Sequence, residues 1–109
     1  MPDVAVGKVR RFCEAQNRHD LADKLRNDFD VRGRSITIVE CRPPWDGSPG
    51  EWTRTPIAQI RYDAETGRYA VYWADRNDRW RRYEEIEPTV DIEVVLREID
   101  EDPICVFWG

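Results

Sequence analysis

Between Leu25 and Tyr83 the apolar residues recur at every second position, in runs separated by residues that turn a chain. Leu25, Phe29 and Val31 alternate with Arg26, Asp28 and Asp30. Ile36 and Ile38 alternate with Ser35, Thr37 and Val39. A period of two marks strands that bury one face and show the other to solvent. Arg32-Gly33, Ala64-Glu65-Thr66-Gly67 and Asp75-Arg76-Asn77-Asp78 supply the turns, through glycine's tolerance of positive φ and the way Asp and Asn side chains bond nearby backbone. The pattern predicts strands at about 24–31, 35–41, 57–63, 68–74 and 79–83, joined as successive antiparallel hairpins.

The flanking segments change period. In residues 3–16, Val6, Val9, Phe12, Cys13 and Gln16 fall close to one helical face, and Pro2 suits a first turn. Near the other end, Ile92, Val95, Leu96 and Ile99 give the i, i+3, i+4, i+7 stripe of a second helix. Thr89 is placed to cap it, and Asp91 and Glu93 complement its dipole. Pro103 ends it, and Ile104–Trp108 forms an apolar tail that docks or joins the sheet edge. The polar stretch from Asn17 to Asp23 reads as a turn. With 109 residues, the expected architecture is one α+β domain spanning residues 1–109: N-terminal helix, about five antiparallel strands in a meander, C-terminal helix and tail, with the helices on one face.

Residues 42–56 hold four of the seven prolines and two of the five tryptophans, so they are read as a loop. Long ordered loops are pinned by their own side chains or carry function. Trp45 and Trp52 are the expected pins.

Charge is unevenly distributed. Residues 52–83 carry seven Arg against four acids, and residues 84–109 carry one Arg against nine acids. The acidic end either folds over the basic middle or leaves an Arg-rich surface for an anionic partner, and the first reading is preferred. The three cysteines, Cys13, Cys41 and Cys105, and the lone His19 lack the spacing of a zinc site, and their odd count speaks against a disulfide framework. No apolar run reaches membrane length, which leaves a soluble protein in a reducing cytoplasm as the expectation.

With four-residue turns, Tyr62 pairs with Tyr69, Ile60 with Val71, Ala58 with Trp73, and Trp73 with Trp80. The core face then carries Ile60, Val71, Trp73 and Trp80. The opposite face carries Gln59, Arg61, Ala70, Tyr72, Arg81 and Tyr83, and a slip of one residue would exchange the two sets. That second face mixes Arg with Tyr, as single-strand binding platforms do, and as many solvated sheets also do. Glu40 and Arg42 share the parity of Ile36 and Ile38 and are expected to form an ion pair, with Arg61 as the other candidate partner for Glu40.

No nucleophile–base pair, phosphate-cradling glycine loop or H-E-x-x-H is present, so no enzyme class is assigned and no cofactor is expected. Glu40, Asp63, Asp75 and Asp78 are carboxylates enough for a metal-dependent hydrolase or nuclease, but their spacing singles out no metal site and none is assigned.

Three segments carry a resemblance. They are Glu40-Cys41-Arg42-Pro43-Pro44-Trp45; Gly50-Glu51-Trp52-Thr53 running into Pro56–Tyr62; and Tyr72–Trp80 with the closing Phe107-Trp108-Gly109. Together they resemble a bacterial family filed as domain of unknown function number 3024. The resemblance implies a small free-standing protein and brings no mechanism. It adds weight to Glu40, Arg42, Arg61, Asp75 and Arg76 as motif positions.

The favoured function is a binding or interaction module whose site residues are Glu40, Arg42, Arg61, Tyr72, Asp75, Arg76 and Arg81, together with the Trp/Pro loop. The partner is unknown: another protein or a second copy of this chain comes first, nucleic acid second, and no membrane is expected. A tail that completes a neighbour's sheet is the remaining reading.

Overall fold

The computed structural model describes residues 1–17, 25–44, 46–47 and 49–108, so the expected turn after Asn17, His19, the Trp45 pin and Gly109 lie outside the described residues. Helix α1 is Asp3–Gln16. Strands β1 (Arg26–Arg32), β2 (Ser35–Arg42), β3 (Thr53–Asp63), β4 (Arg68–Ala74) and β5 (Trp80–Arg82) follow, then helix α2 (Ile92–Glu101). All neighbours in the sheet are antiparallel and the spatial order is β1-β2-β3-β4-β5. The fold is the expected α+β meander.

Both helices pack on one face. Ala5, Val9 and Cys13 of α1 and Ile92, Val95, Leu96 and Ile99 of α2 join Ile36, Ile38, Ile60, Val71 and Tyr83 in one core. Each fully buried Ile or Val contributes roughly 1.5–3 kcal/mol relative to exposure. The acidic α2 therefore lies on the face opposite Arg61 and Tyr72 and does not cover them. This overturns the preferred charge reading: α2 is amphipathic, and its apolar stripe, not its charge, decides which face it takes.

The turns set the register. Gly33 (φ 57°) takes the first of two loop positions between β1 and β2, a geometry that matches the right-handed twist of the strands. The β3–β4 pairing is as expected, with Ile60 opposite Val71 and Ala58 opposite Trp73. The β4–β5 pairing is not. Ala74 pairs with Trp80, Trp73 with Arg81 and Tyr72 with Arg82. The cause is Asp78, which sits at φ 60° after a turn closed by its own N–H on Asp75 O (3.0 Å), while Asp75 N–H donates to Arg79 O (2.9 Å). A turn followed by one left-handed residue adds a position to the loop. The whole of β5 is thereby inverted relative to expectation. Tyr83, expected on the open face, is 1% exposed in the core, and its N–H donates to Val71 O (2.8 Å). Arg81 goes to the covered side with Trp73, while Trp80 and Arg82 turn to the open face with Tyr72.

A second shift lies in β3. Ile38 pairs with Ala58 and Val39 with Pro56, so Ile57 is an extra residue. Proline, with no N–H to give a ladder, is tolerated at such a bulge. Ile57 and Ala58 are both buried as a result.

The α2 N-cap is Asp91, whose side chain accepts from Glu93 N–H (3.0 Å), rather than Thr89. Thr89 instead pairs with Tyr69 as an isolated bridge, held by N–H···O bonds of 2.7 and 3.0 Å. The tail docks on its own chain. Asp102, at φ 44°, accepts from the N–H groups of Val106 (2.8 Å), Phe107 (3.1 Å) and Trp108 (2.9 Å), and Trp108 Nε1 donates to Ile99 O (2.7 Å). Phe107 is buried against Tyr83, ring centroids 4.9 Å apart. Phe107 and Trp108 are thus engaged within the chain, while Ile104 stays half-exposed.

Candidate functional site

The open face of the sheet divides into two ends. At the β1–β3 end, the bulge at Ile57 reverses the parity of β3 and brings Arg54 onto this face. Its guanidinium crosses two strands to Asp30 (2.8 and 2.9 Å) and Asp28 (3.2 Å), and lies 3.9 Å from Cys41 Sγ. Bonds to Asp30 and Asp28 hold the Arg54 proton more firmly than usual. Nearby, the Arg26 guanidinium lies 4.0 Å over the Trp52 ring. This fixes the end of the loop and makes Trp52 a pin, as expected.

At the β3–β5 end, Arg61, Arg68, Tyr72 and Arg82 surround Ala70 in a hollow of about 330 Å³, also lined by Tyr62, Asp63, Thr66 and Pro88. The small Ala70 side chain makes the floor, because its neighbours of the same parity, Arg68 and Tyr72, rise on either side. Arg61 is fixed from two directions. Its carbon Cζ lies 3.8 Å over the Tyr72 ring, and its Nε donates to Gln59 Oε1 (2.7 Å). Gln59 is in turn held by donating to Thr37 Oγ1 (3.1 Å). A guanidinium so held keeps its two terminal NH₂ groups aimed and loses little freedom on meeting an anion. None of Arg61, Arg68 and Arg82 forms an ion pair with a described residue. The one carboxylate in the hollow, Asp63, faces Arg68 in register and accepts from Glu65 N–H (2.9 Å).

The other expected site residues lie elsewhere. Glu40 and Arg42 pair at the end of β2, Nε to Oε1 2.9 Å, with Glu40 the more enclosed. The expected ion pair is therefore present, and Arg61 is not its partner. Asp75 organises the β4–β5 turn. Its Oδ2 accepts from Arg81 Nε (2.8 Å), and its Oδ1 accepts from the N–H groups of Asn77 (2.8 Å) and Arg79 (3.0 Å). Arg81, then the Arg79 and Asn77 amides, hold the Asp75 carboxyl down at about 2. Arg76 is exposed in the same turn. Of the residues singled out from sequence, only Arg61 and Tyr72 meet in the hollow, while Glu40 with Arg42 and Asp75 with Arg81 meet as separate ion pairs. Arg68 and Arg82 were missed as their companions. Arg68 shares the parity of Tyr72, a signal available in the sequence, whereas Arg82 emerges only once the loop length is known.

Among the described residues no group of three or more His, Cys, Asp or Glu could hold a metal ion. Cys13 and Cys41 are buried free thiols and Cys105 is exposed. Burial pushes the Cys13 thiol up to about 12 and raises that of Cys41, so neither is poised as a thiolate. No helix is long and apolar enough to cross a membrane.

No curated protein and no solved structure matches the chain. The family model for the domain of unknown function DUF3024 matches residues 2–109, and the chain belongs to that family.

Proposed function

We propose that the protein is a binding module that holds an anionic partner in the hollow between β3 and β5. The observation that carries this reading is the convergence of Arg61, Arg68 and Arg82 on one hollow, with Arg61 already positioned by Tyr72 and Gln59. The other Arg groups with carboxylate partners, Arg42, Arg54 and Arg81, serve as a comparison: they are engaged at 2.8–2.9 Å within the fold. A cation fixed before contact, as Arg61 is, costs little ordering entropy on binding. Glu40–Arg42 and Asp75–Arg81 are structural pairs in this reading, and the hydrolase reading has no metal-holding cluster among the described residues to support it.

The test is retention on immobilised heparin, a generic polyanion, at low salt. The native protein is expected to bind and to elute earlier when Arg61→Glu and Arg82→Glu are combined, with Arg76→Glu and Arg79→Glu together, both outside the hollow, as the charge-matched control. Flow-through of the native protein, or equal shifts for control and hollow variants, would overturn the proposal.

A further inference from the structure

We infer that the anion held on this face is a single-stranded nucleic acid, a conclusion that rests on the anion-binding reading above and names its ligand. The arginines suit either anion, since their planar fork matches phosphate and carboxylate oxygens alike in pairs, and two further features favour a nucleotide strand over an acidic polypeptide. The cations interleave with aromatic rings: Arg82 stands opposite Tyr72, and Trp80, one step further along β5, stands opposite Ala74 on the same open face. Tyr72 and Trp80 are then diagonal neighbours, about 7–8 Å apart in a regular ladder, a step that one nucleotide of an unstacked strand can span. Finally, the guanidinium carbon of Arg61 lies 3.8 Å over the Tyr72 ring, so the guanidinium offers a base a second surface to stack on while its NH₂ groups reach a phosphate.

The placement assigns roles. One base lies over the Arg61–Tyr72 stack above Ala70. Its phosphates meet Arg68 and Arg82, and the next base meets Trp80. Unpaired bases are required, because a duplex buries the faces that would stack. Asp63, the single carboxylate lining the hollow, stands beside Arg68 in register and makes Arg82 the stronger of the two phosphate contacts. The acidic α2 lies beyond the sheet on the opposite face, which favours a one-sided approach.

The experiment is fluorescence polarisation of a labelled pyrimidine ribo-oligonucleotide about ten nucleotides long, with its duplex form and polyglutamate as competitors, at two salt concentrations. The expected result is micromolar binding of the single strand that weakens with salt. Arg82→Ala should weaken it roughly ten-fold and lower the salt slope by about one. Tyr72→Leu or Trp80→Leu should weaken it roughly five- to a hundred-fold without changing competition by polyglutamate. Circular dichroism confirms that each variant folds, and Tyr72→Phe, which keeps the ring, should bind within about two-fold of native. Equal affinity for duplex and polyglutamate, with no effect of Tyr72→Leu, would overturn the nucleic-acid inference and leave the anion-binding reading standing. Absence of binding to every polyanion would remove both.

Discussion

Ile60 and Arg61 are adjacent in the chain and point to opposite faces of β3, and the two faces answer different physical demands. The covered face is closed by α1 and α2 over Ile36, Ile38, Ile60, Val71 and Tyr83, and the Tyr83 hydroxyl is tied down there, Oη donating to Glu98 Oε2 at 2.6 Å. The open face keeps Arg61, Arg68 and Arg82 around a hollow without carboxylate partners among the described residues. One face spends its side chains on stability and the other holds them ready. The open face repeats that division on a smaller scale, since at its β1–β3 end Arg54 is saturated by Asp28 and Asp30.

The sharpest way to break the comparison is to truncate both neighbours. Ile60→Ala is expected to lower stability by about 3 kcal/mol, whereas Arg61→Ala should change it by less than about 0.5 kcal/mol and act on polyanion binding instead. Urea denaturation measures both, and equal losses would erase the distinction between the faces. A smaller effect comes from Tyr83→Phe, which leaves the half-buried Glu98 carboxylate without its donor. The expected loss is about 1–2 kcal/mol, read by the same denaturation. Burial, then the bond to Glu98, pushes the Tyr83 phenol well above its ordinary range, so the donor persists at any ordinary pH. The smallest effect is at the turn. The Asp75 carboxyl is held at about 2, below its usual 3.8, so its contribution is complete above about pH 4 and disappears as pH falls toward 2. Asp75→Asn should therefore melt below the native protein at pH 6 and converge on it near pH 2. A melting difference that does not change with pH would show that the pair with Arg81 adds nothing.

Much of this was legible in the sequence, because the period of apolar residues states which elements form. The bounds of α1, a hairpin turn involving Gly33 and the β3–β4 pairing all follow from that period and from turn chemistry. The shared open face of Arg61 and Tyr72 follows too, since both residues precede the β4–β5 turn. What failed did so at points where one residue is added without a change in pattern. Asp78 adopts a left-handed conformation with no glycine to announce it, so Arg81 and Arg82 exchanged faces and Tyr83 was assigned to solvent. The bulge at Ile57 has one faint sign, Pro56, whose residue type reads as loop although β3 starts at Thr53, and it is this bulge that turns Arg54 to the open face. The carboxylate of Asp102, which gathers the tail, gave no pattern at all, because its partners are backbone groups that every residue possesses.

The β4–β5 loop has a consequence for how such a chain can vary. Exposed hairpin loops are ordinarily where length changes are best tolerated. Here the tip of the loop sets the parity of everything that follows it. Deleting Asp78 would carry Tyr83 out of the core and Arg82 into it, and would strip the hollow of a guanidinium without touching a strand residue. Substitutions at Arg76 or Asn77 are free to drift, but the number of residues between Ala74 and Trp80 is not. Grafts or insertions at this tip keep the fold only if they preserve that parity.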